Sequence, residues 1–306
     1  MGYITPLLPY LAGWLLLMFT PPFFELGWVN GVGQLTLFAF VVCLPAWKTG
    51  RLSYVDIGWP LGLAIIGLVA LLLAEGNILR QSIIGLVYVF IGLRMGLVAI
   101  KLWRLGVFQN EFPRYQYQRL RWQEKGIKNI PLMIQVEAVL QGVANMSFLA
   151  FPAFVIAVNP VSQIHMLEMF GLLIWVGAFA METIADNQKR VFLKEMKKQG
   201  LKNQVCNVGL WRYSRHPNYF AEWMVWNALV IAALPSWWVL QAQINTVLWL
   251  LIGLGVLNAS RVMYVTLVDY TGAKPAEYFS VQKRPKYKTY QQTTNQFFPG
   301  PFKSAK

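Results

Sequence analysis

Long apolar segments are the feature of this sequence that most restricts its fold. A helix needs about 20 apolar residues to cross a bilayer, so runs of that length predict membrane spans. Eight lie at about residues 3–24, 29–47, 54–74, 81–103, 132–158, 165–185, 217–235 and 238–262. The last two are separated only by residues 234–237, which predicts a tight helical hairpin. The sequence therefore predicts an all-α, polytopic transmembrane bundle of eight spans, or seven if an end helix lies at the membrane interface.

The composition agrees with a chain whose main solvent is lipid. Hydrophobic residues make up 56% of the sequence and charged residues only 13%, whereas soluble domains carry about 25% charged residues. The formal net charge of +14 is concentrated in the connections between the apolar segments, and this distribution is typical of membrane topology. We therefore predict membrane lipids as partners and no nucleic acid.

Lysine and arginine are concentrated in every second connection. Basic segments follow the second, fourth, sixth and eighth predicted spans, and the other connections contain almost no Lys or Arg. Since basic loops stay on the cytoplasmic side, this alternation predicts cytoplasmic N- and C-termini.

The cysteines and histidines do not suggest a metal site. The chain has two of each, and none stands at metal-ligand spacing. Cys43 lies in an apolar run and Cys206 in a basic segment, so we expect them at different depths and without a disulfide.

Three charged residues at the end of the sixth predicted span share one helix face. Glu182, Asp186 and Arg190 are spaced four residues apart, so their side chains point in one direction. Two interpretations remain open: a ladder of ion pairs at a helix end, or a polar face that lines a cytoplasmic cavity.

The start of the seventh predicted span has the chemistry of an anion site. Pro217 suits a first helical turn, and the free N–H groups of that turn attract anions. Arg212 and Arg215 precede it, so the segment predicts a cradle for a phosphate or carboxylate. Asn218 and Glu222 share a face of the same helix. A carboxylate there needs a donor such as a ribose hydroxyl, an amide or an arginine.

Four segments resemble the steroid 5α-reductase-like membrane proteins, in particular their bacterial branch, the DUF1295 group. In chain order they are Phe112-Pro113-Arg114-Tyr115, with Phe112 in place of an acid; Asp186-Asn187-Gln188-Lys189; Trp211 to Glu222; and Lys283-Arg284-Pro285-Lys286-Tyr287 followed by Tyr290, Thr294 and Phe297-Phe298-Pro299. The resemblance extends over residues 50–300. It divides the chain into two anchoring spans in residues 1–50, a reductase-like core in residues 51–300 with its cofactor half in residues 165–300, and a tail of residues 301–306.

The resemblance implies an NADPH-dependent reductase of a C=C bond in a lipid-like substrate of the steroid or enone type that enters from the bilayer. It also implies a location in the bacterial inner membrane, with the cofactor site facing the cytoplasm. The residues that correspond to cofactor ligands are Asp186, Lys189, Arg215, His216, Asn218, Tyr219, Glu222, Lys286, Tyr287 and Tyr290. Asp186, Asn218, Tyr219 and Glu222 would contact the nicotinamide half or the ribose, and Arg215, Lys286, Tyr287 and Tyr290 the phosphates or adenine. On its own, a histidine such as His216 is more often a helix-capping or interface residue than a ligand contact.

The catalytic half departs from the family pattern. The Gln-Glu pair and the tyrosine of the steroid reductases have no counterpart in the early spans, which offer Asp56 and Arg94 instead. Asp56 would act as proton donor, and Arg94 would stabilise an enolate oxygen. Alternatively, the two residues form a buried ion pair between the third and fourth spans.

Two other functions remain open at the level of sequence. The Arg-His-Pro-x-Tyr core is also found in S-adenosylmethionine-dependent methyltransferases of the isoprenylcysteine carboxyl type. A non-catalytic lipid-binding member of the fold would explain the missing pair. Cofactor binding discriminates among the three functions, since a fold alone does not define one.

Overall fold

The computed structural model describes residues 5–301 and 303, and most of this chain is helical. Its α-helices are α1 (Leu8–Phe19), α2 (Phe24–Leu37), α3 (Leu44–Thr49), α4 (Val55–Leu73), α5 (Ile78–Arg104), α6 (Pro113–Glu124), α7 (Ile130–Met146), α8 (Phe151–Ala157), α9 (Met166–Lys198), α10 (Pro217–Val239), α11 (Thr246–Val265), α12 (Ala273–Lys283) and α13 (Tyr287–Thr293). Two π-helical segments, Phe38–Cys43 and Thr266–Tyr270, join α2 to α3 and extend α11. No strand occurs within the described residues, so the all-α prediction is confirmed. Of the predicted tail, only residues 301 and 303 lie in the described part.

Seven helical stretches of the described chain are long and apolar enough to cross a membrane. They are Pro21–Thr49, Val55–Leu73, Ile78–Arg104, Ile130–Ala157, Met166–Lys198, Pro217–Ala242 and Thr246–Lys283. This number agrees with the lower of the two predicted values, and the chain is an integral membrane protein.

The first predicted span, 3–24, is not one continuous span. Residues 3 and 4 lie outside the described part, and the helix of Thr5–Phe19 is only about 22 Å long at about 1.5 Å per residue. A typical hydrocarbon core is about 30 Å thick. The helix ends at Thr20, which has extended backbone angles, and a new helical segment begins with Pro21-Pro22. Since proline lacks an N–H to continue a helical ladder, this sequence interrupts the predicted span.

The predicted hairpin of the last two spans is present, but its turn is displaced. Helix α10 continues through Pro235 to Val239, and α11 begins after Asn245, whose side chain accepts a hydrogen bond from the Leu248 N–H at 3.0 Å. Trp237 and Trp249 stack with ring centroids 4.4 Å apart, and each indole N–H donates to the other residue's carbonyl. These contacts pair the two helices beyond the proline, which explains why the turn follows α10 later than predicted.

A buried amide network ties the N-terminal helices to the core. The Gln34 side chain donates to the Gly62 carbonyl at 2.7 Å, and Asn145 donates to the Trp59 carbonyl at 3.0 Å. Asn30 completes the network by donating to the Asn145 carbonyl. Buried amides in lipid need such partners, so α2 is fixed against α4 and α7.

The connections that are basic in the sequence meet at one end of the bundle. There the Glu111 carboxylate accepts from the backbone N–H groups of Leu52 and Ser53 at 2.9 and 3.0 Å. At the opposite end, Arg80 pairs with Glu168 at 3.1 Å. The candidate site lies towards the basic end.

Candidate functional site

A cavity of about 530 Å³ lies among α4, α5, α6, α7, α9, α10 and α11. Its apolar wall includes Trp59, Met95, Val98, Leu102, Met263 and Leu267. Its polar wall includes Asp56, Arg94, Arg114, Tyr115, Gln141, Glu182, Asp186, Asn218, Tyr219 and Glu222. The structure therefore brings both predicted catalytic residues to the same cavity as four of the predicted cofactor residues.

Asp56 and Arg94 occupy different walls of this cavity. The Tyr115 hydroxyl donates to Asp56 Oδ1 at 2.6 Å, and Arg114 Nη2 lies 3.6 Å from Asp56 Oδ2. Arg94 Nη1 instead contacts Glu182 Oε1 at 3.1 Å. The alternative of an Asp56–Arg94 ion pair is thus wrong, because Asp56 starts α4 next to α6 whereas Arg94 faces α9.

Tyr115 is held as a neutral hydroxyl. Burial and, after it, the neighbouring Asp56 carboxylate raise the pKa of Tyr115 well above its usual value. Both effects disfavour a phenolate anion. The Asp56–Tyr115 pair therefore combines one carboxylate acceptor with one hydroxyl donor at the cavity wall.

Glu182 and Asp186 of α9 line the cavity, as the second interpretation of this helix face predicts. Asn218 Nδ2 donates to Asp186 Oδ1 at 3.0 Å, and Glu182 pairs with Arg94. Arg190 instead donates to Asn187 at 2.8 Å. A continuous ion-pair ladder through Arg190 is therefore absent from the described residues.

Two acceptors of α10 are unsatisfied in the cavity. The buried Oδ1 atom of Asn218 has no hydrogen-bond partner. Glu222 lines the same cavity, and no hydrogen bond or ion pair connects it to another described residue. A carboxyl group and an amide oxygen at this depth call for donors, so the cavity offers two contacts to a ligand that carries N–H or O–H groups.

Arg215 is engaged within the protein. Its Nε and Nη2 atoms contact the two oxygens of Glu277 at 2.7 and 3.1 Å, and Nη1 donates to the carbonyls of Gln291 and Thr294. Each guanidinium nitrogen therefore has a protein acceptor, although Arg215 also lines the smaller pocket described below.

His216 connects this ion pair to the cavity wall. Its Nε2 lies 3.1 Å from Glu277 Oε1, and its ring stacks on Tyr219 with centroids 5.3 Å apart. Burial lowers the pKa of His216, an effect that the neighbouring Glu277 only partly offsets. Tyr219 lines the cavity, and His216 lines a second, smaller pocket. The stacked rings of these two residues lie between the two spaces.

This smaller pocket is basic. It has a volume of about 50 Å³ and adjoins an outer groove of about 300 Å³, with which it shares Leu193, Gln204 and Arg284. Lys189 lines the pocket with its ammonium 4.4 Å from the centre of the Trp211 ring, and Lys197 and Lys202 line the groove. Among the described residues, no Asp or Glu lines either space.

Three of the four residues predicted to hold the phosphates or adenine, Arg215, Tyr287 and Tyr290, line this pocket, and Lys286 does not. Tyr287 and Tyr290 line it and are buried, and the Tyr290 hydroxyl donates to the Trp211 carbonyl. Burial raises the pKa of both phenols. Lys286 is exposed and lines neither the pocket nor the cavity.

Some residues of the site were not identified from the sequence as ligand contacts. Arg114, Tyr115 and Arg284 were named only as parts of the segments that carry the resemblance, and no ligand contact was predicted for them. Gln141 could have been found, because Glu137, Gln141 and Asn145 stand four residues apart within an apolar span and therefore share one face.

Comparison with known proteins identifies one family. The family model described as a protein of unknown function (DUF1295) matches residues 43–294. No curated protein and no solved structure matches the chain. The residues that line the cavity, from Val55 to Gly272, lie within the matched range.

Proposed function

We propose that this chain, which belongs to the DUF1295 family of proteins of unknown function, is a membrane reductase that uses NADPH to reduce a C=C bond of a lipid-like substrate. The observation that carries the proposal is the cavity of about 530 Å³, in which ionisable residues of five helices, four of them membrane spans, meet apolar residues. Its volume is in the range of small-molecule sites, and ionisable residues inside a membrane protein are functional candidates. The resemblance to the steroid 5α-reductase-like proteins supports the same reaction class.

The residues on either side of the His216–Tyr219 stack would bind the two halves of a dinucleotide. On the cavity side, Asn218 Oδ1 and Glu222 would accept hydrogen bonds from the carboxamide or ribose hydroxyls. On the pocket side, Lys189 and Arg284 would bind phosphates, since neither forms a salt bridge with a described Asp or Glu and cations of this kind suit anions. We assign the phosphates to these two residues rather than to Arg215, because Glu277 occupies the Arg215 guanidinium.

When bound, NADPH would supply a hydride to one carbon of a polarised C=C bond. The other carbon then needs a proton. The Tyr115 hydroxyl, which Asp56 orients, would donate it, and the Arg114 guanidinium would stabilise the phenolate that remains. Arg94, in the wall facing α9, would stabilise the enolate oxygen. One hydride and one proton are thus added across the bond.

The apolar wall and the charge distribution support the rest of the proposal. Trp59, Met95, Val98 and Leu102 would hold the hydrocarbon part of a steroid-like or other enone lipid. The basic end of the bundle would face the cytoplasm of a bacterial cell, where NADPH is available. We therefore propose the bacterial inner membrane as the location.

Binding of NADPH tests the proposal directly. For detergent-purified protein, we expect NADPH at 100 times its Kd to stabilise the fold by about 2.7 kcal/mol, measured as a rise in Tm. Glu222→Gln should weaken binding about tenfold, the effect of losing about 1.4 kcal/mol of interaction. Lys274→Ala, a change at an exposed residue outside both spaces, is the matched control and should bind like the wild type.

Two outcomes would overturn the assignment. No rise in Tm with millimolar NADPH would exclude an NADPH enzyme. A rise with S-adenosylhomocysteine while NADPH is inert would instead favour a methyltransferase. If neither cofactor binds, the non-catalytic lipid-binding function is the remaining candidate.

A further inference from the structure

Side chains bridge helices α5 and α9 along a seam on one side of the cavity. We call this set the α5–α9 seam: Phe90, Arg94, Trp175, Phe179 and Glu182. The Phe90 ring packs against Trp175 and Phe179 with centroids 6.3 and 5.2 Å apart. Arg94 pairs with Glu182 at 3.1 Å, and its guanidinium lies 4.4 Å from the centre of the Phe179 ring.

The Arg94–Glu182 pair separates two spaces. On one side of it lies the cavity. On the other side lies a surface groove of about 490 Å³, which is distinct from the outer groove lined by Lys197 and Lys202. Arg94 and Asp186 line both. The groove is completed by Thr183, Ile184, Asn187 and Arg190. Arg94 is therefore part of the wall between the groove and the cavity, and rotation of its side chain away from Glu182 would open this wall.

One exposed apolar residue borders each of the two spaces, and we call these two residues, Val98 and Ile184, the rim. Val98 lines the cavity and is 57% exposed, and Ile184 lines the groove and is 51% exposed. In a membrane, such side chains face lipid. One turn further along α9 the sequence becomes charged from Asp186 to Arg190, so the connection lies where apolar chains meet polar head groups.

The two ion pairs between α5 and α9 differ in how firmly they are held. Arg80 and Glu168 are buried, and Arg80 also donates to the carbonyls of Val161 and Gln163. The side chains of Arg94 and Glu182 are 31% and 16% exposed, and a single nitrogen of Arg94 contacts Glu182. The Arg80–Glu168 pair, which lies outside the seam, is thus held by more hydrogen bonds than the Arg94–Glu182 pair at the cavity.

We propose that the α5–α9 seam is the lateral entrance through which a single-chain amphiphile passes from the bilayer into the cavity, with the Arg94–Glu182 pair as its gate. The apolar rim admits the hydrocarbon chain, and the polar groove accommodates the head group. The inference rests on the proposed function only in taking the ligand to be an amphiphile.

Thiol labelling inside the cavity tests the entrance without any cofactor. In a Cys43→Ser, Cys206→Ser background, Met95→Cys puts a thiol on the cavity wall. The protein is reconstituted in phosphatidylcholine vesicles, and mass spectrometry follows its reaction with N-hexadecylmaleimide dissolved in the bilayer or with a sulfonated, water-soluble maleimide. Because NADPH is absent, failure of this test leaves the reductase proposal standing, and failure of NADPH binding leaves the entrance standing.

Bulky residues at the rim should slow labelling from the bilayer. We expect Val98→Trp with Ile184→Trp to slow the hexadecyl reagent about tenfold, a barrier increase of about 1.4 kcal/mol. The control is Leu86→Trp with Leu173→Trp, on the same helices and 57% and 68% exposed, which should label like the background. Glu182→Gln should accelerate labelling, because it weakens the gate.

Equal labelling rates in the rim and control variants would overturn the entrance. Faster labelling by the water-soluble reagent, insensitive to the rim, would also overturn it and indicate an aqueous route. An unchanged rate in Glu182→Gln would overturn the gate. If the tryptophan pair at the rim fails to fold, Val98→Phe with Ile184→Phe provides a smaller obstruction that is read in the same way.

Discussion

The side chains of two neighbouring residues, Arg215 and His216, share the carboxylate of Glu277. Arg215 binds it through two hydrogen bonds, and His216 reaches the same Oε1 atom at 3.1 Å. One negative charge balances one guanidinium, and burial keeps the imidazole neutral by lowering the pKa of His216. This cluster fixes the start of α10, and with it the direction in which Asn218 and Glu222 point.

The neutral His216 predicts a specific pH dependence of stability. An unfolded histidine titrates at about pH 6.5. In the folded state, burial lowers the pKa of His216, and the positive charges of Lys189 on α9 and of Arg215 lower it further. Glu277 on α12 raises this pKa but does not cancel the effect of burial. The depressed pKa means that the unfolded state binds more protons. The stability due to neutral His216 is therefore fully present above about pH 6.5 and is lost below it, by up to about 1.4 kcal/mol per pH unit.

Thermal unfolding of wild-type protein at pH 7.5 and 5.5 measures this effect. His216→Gln should show a smaller loss of Tm on acidification than the wild type. His165→Asn is the matched control, because His165 caps α9 by accepting from the Leu167 N–H and asparagine preserves such a cap. If His216→Gln loses as much Tm as the wild type, the buried imidazole is not the acid-sensitive group.

At the scale of elements, glycine determines how closely α4 and α5 pack. A Cβ atom on Gly92 would lie 2.5 Å from both the Pro60 carbonyl and the Ala64 nitrogen, and one on Gly85 would lie 2.8 Å from Leu71 Cβ. Small residues allow this backbone contact between membrane helices. The pairing positions Asp56 on α4 and Arg94 on α5 at the same cavity.

Gly92→Ala should therefore destabilise the bundle by about 1–3 kcal/mol, the usual cost of overpacking. The control Gly177→Ala lies in α9, where nothing is within 4 Å of an added Cβ. Since alanine favours a helix by up to about 1 kcal/mol over glycine, it should be neutral or stabilising. Thermal unfolding in one detergent compares the two variants, and equal losses of Tm would contradict the close contact.

The π-helical segment Thr266–Tyr270 shows an element that periodicity does not reveal. Its Tyr270 hydroxyl donates to the buried Glu137 on α7, and Gln141 donates to the same carboxylate at 2.9 Å. Thr266 and Leu267 line the cavity. A π-helical turn depends on such tertiary contacts and often lies at functional sites, so a hydropathy pattern predicts the helix but not this bulge in it.

At the scale of the whole molecule, polar connections are sorted between two ends. The loop that contains Leu52 is tied to Glu111, and Arg121 contacts the Asp269 carbonyl at 3.4 Å, all at the basic end. At the other end, the Asn77 N–H donates to the Asn159 carbonyl at 2.8 Å. The alternation of basic connections along the sequence thus corresponds to two spatially separate surfaces.

We expect the basic surface to face the cytoplasm. In the cysteine-free background, Lys125→Cys and Lys202→Cys should react with a membrane-impermeant maleimide only in inverted vesicles. Val161→Cys and Gln243→Cys, the matched positions at the other end, should react only in right-side-out vesicles. The reverse pattern would contradict the positive-inside assignment, and mixed labelling among variants of one end would contradict the arrangement of the spans.

The sequence by itself determined the helical class, the approximate spans and the basic connections, because hydropathy and charge are local properties of each segment. It also identified Asp56, Asp186 and Glu222 as candidates, since ionisable residues are costly at these depths. Only the tertiary structure decided their partners. Asp56 meets Tyr115, Arg94 meets Glu182 and Arg215 meets Glu277 across 59, 88 and 62 residues of chain. These pairings depend on which helix faces come together, and packing, rather than any local pattern, determines that.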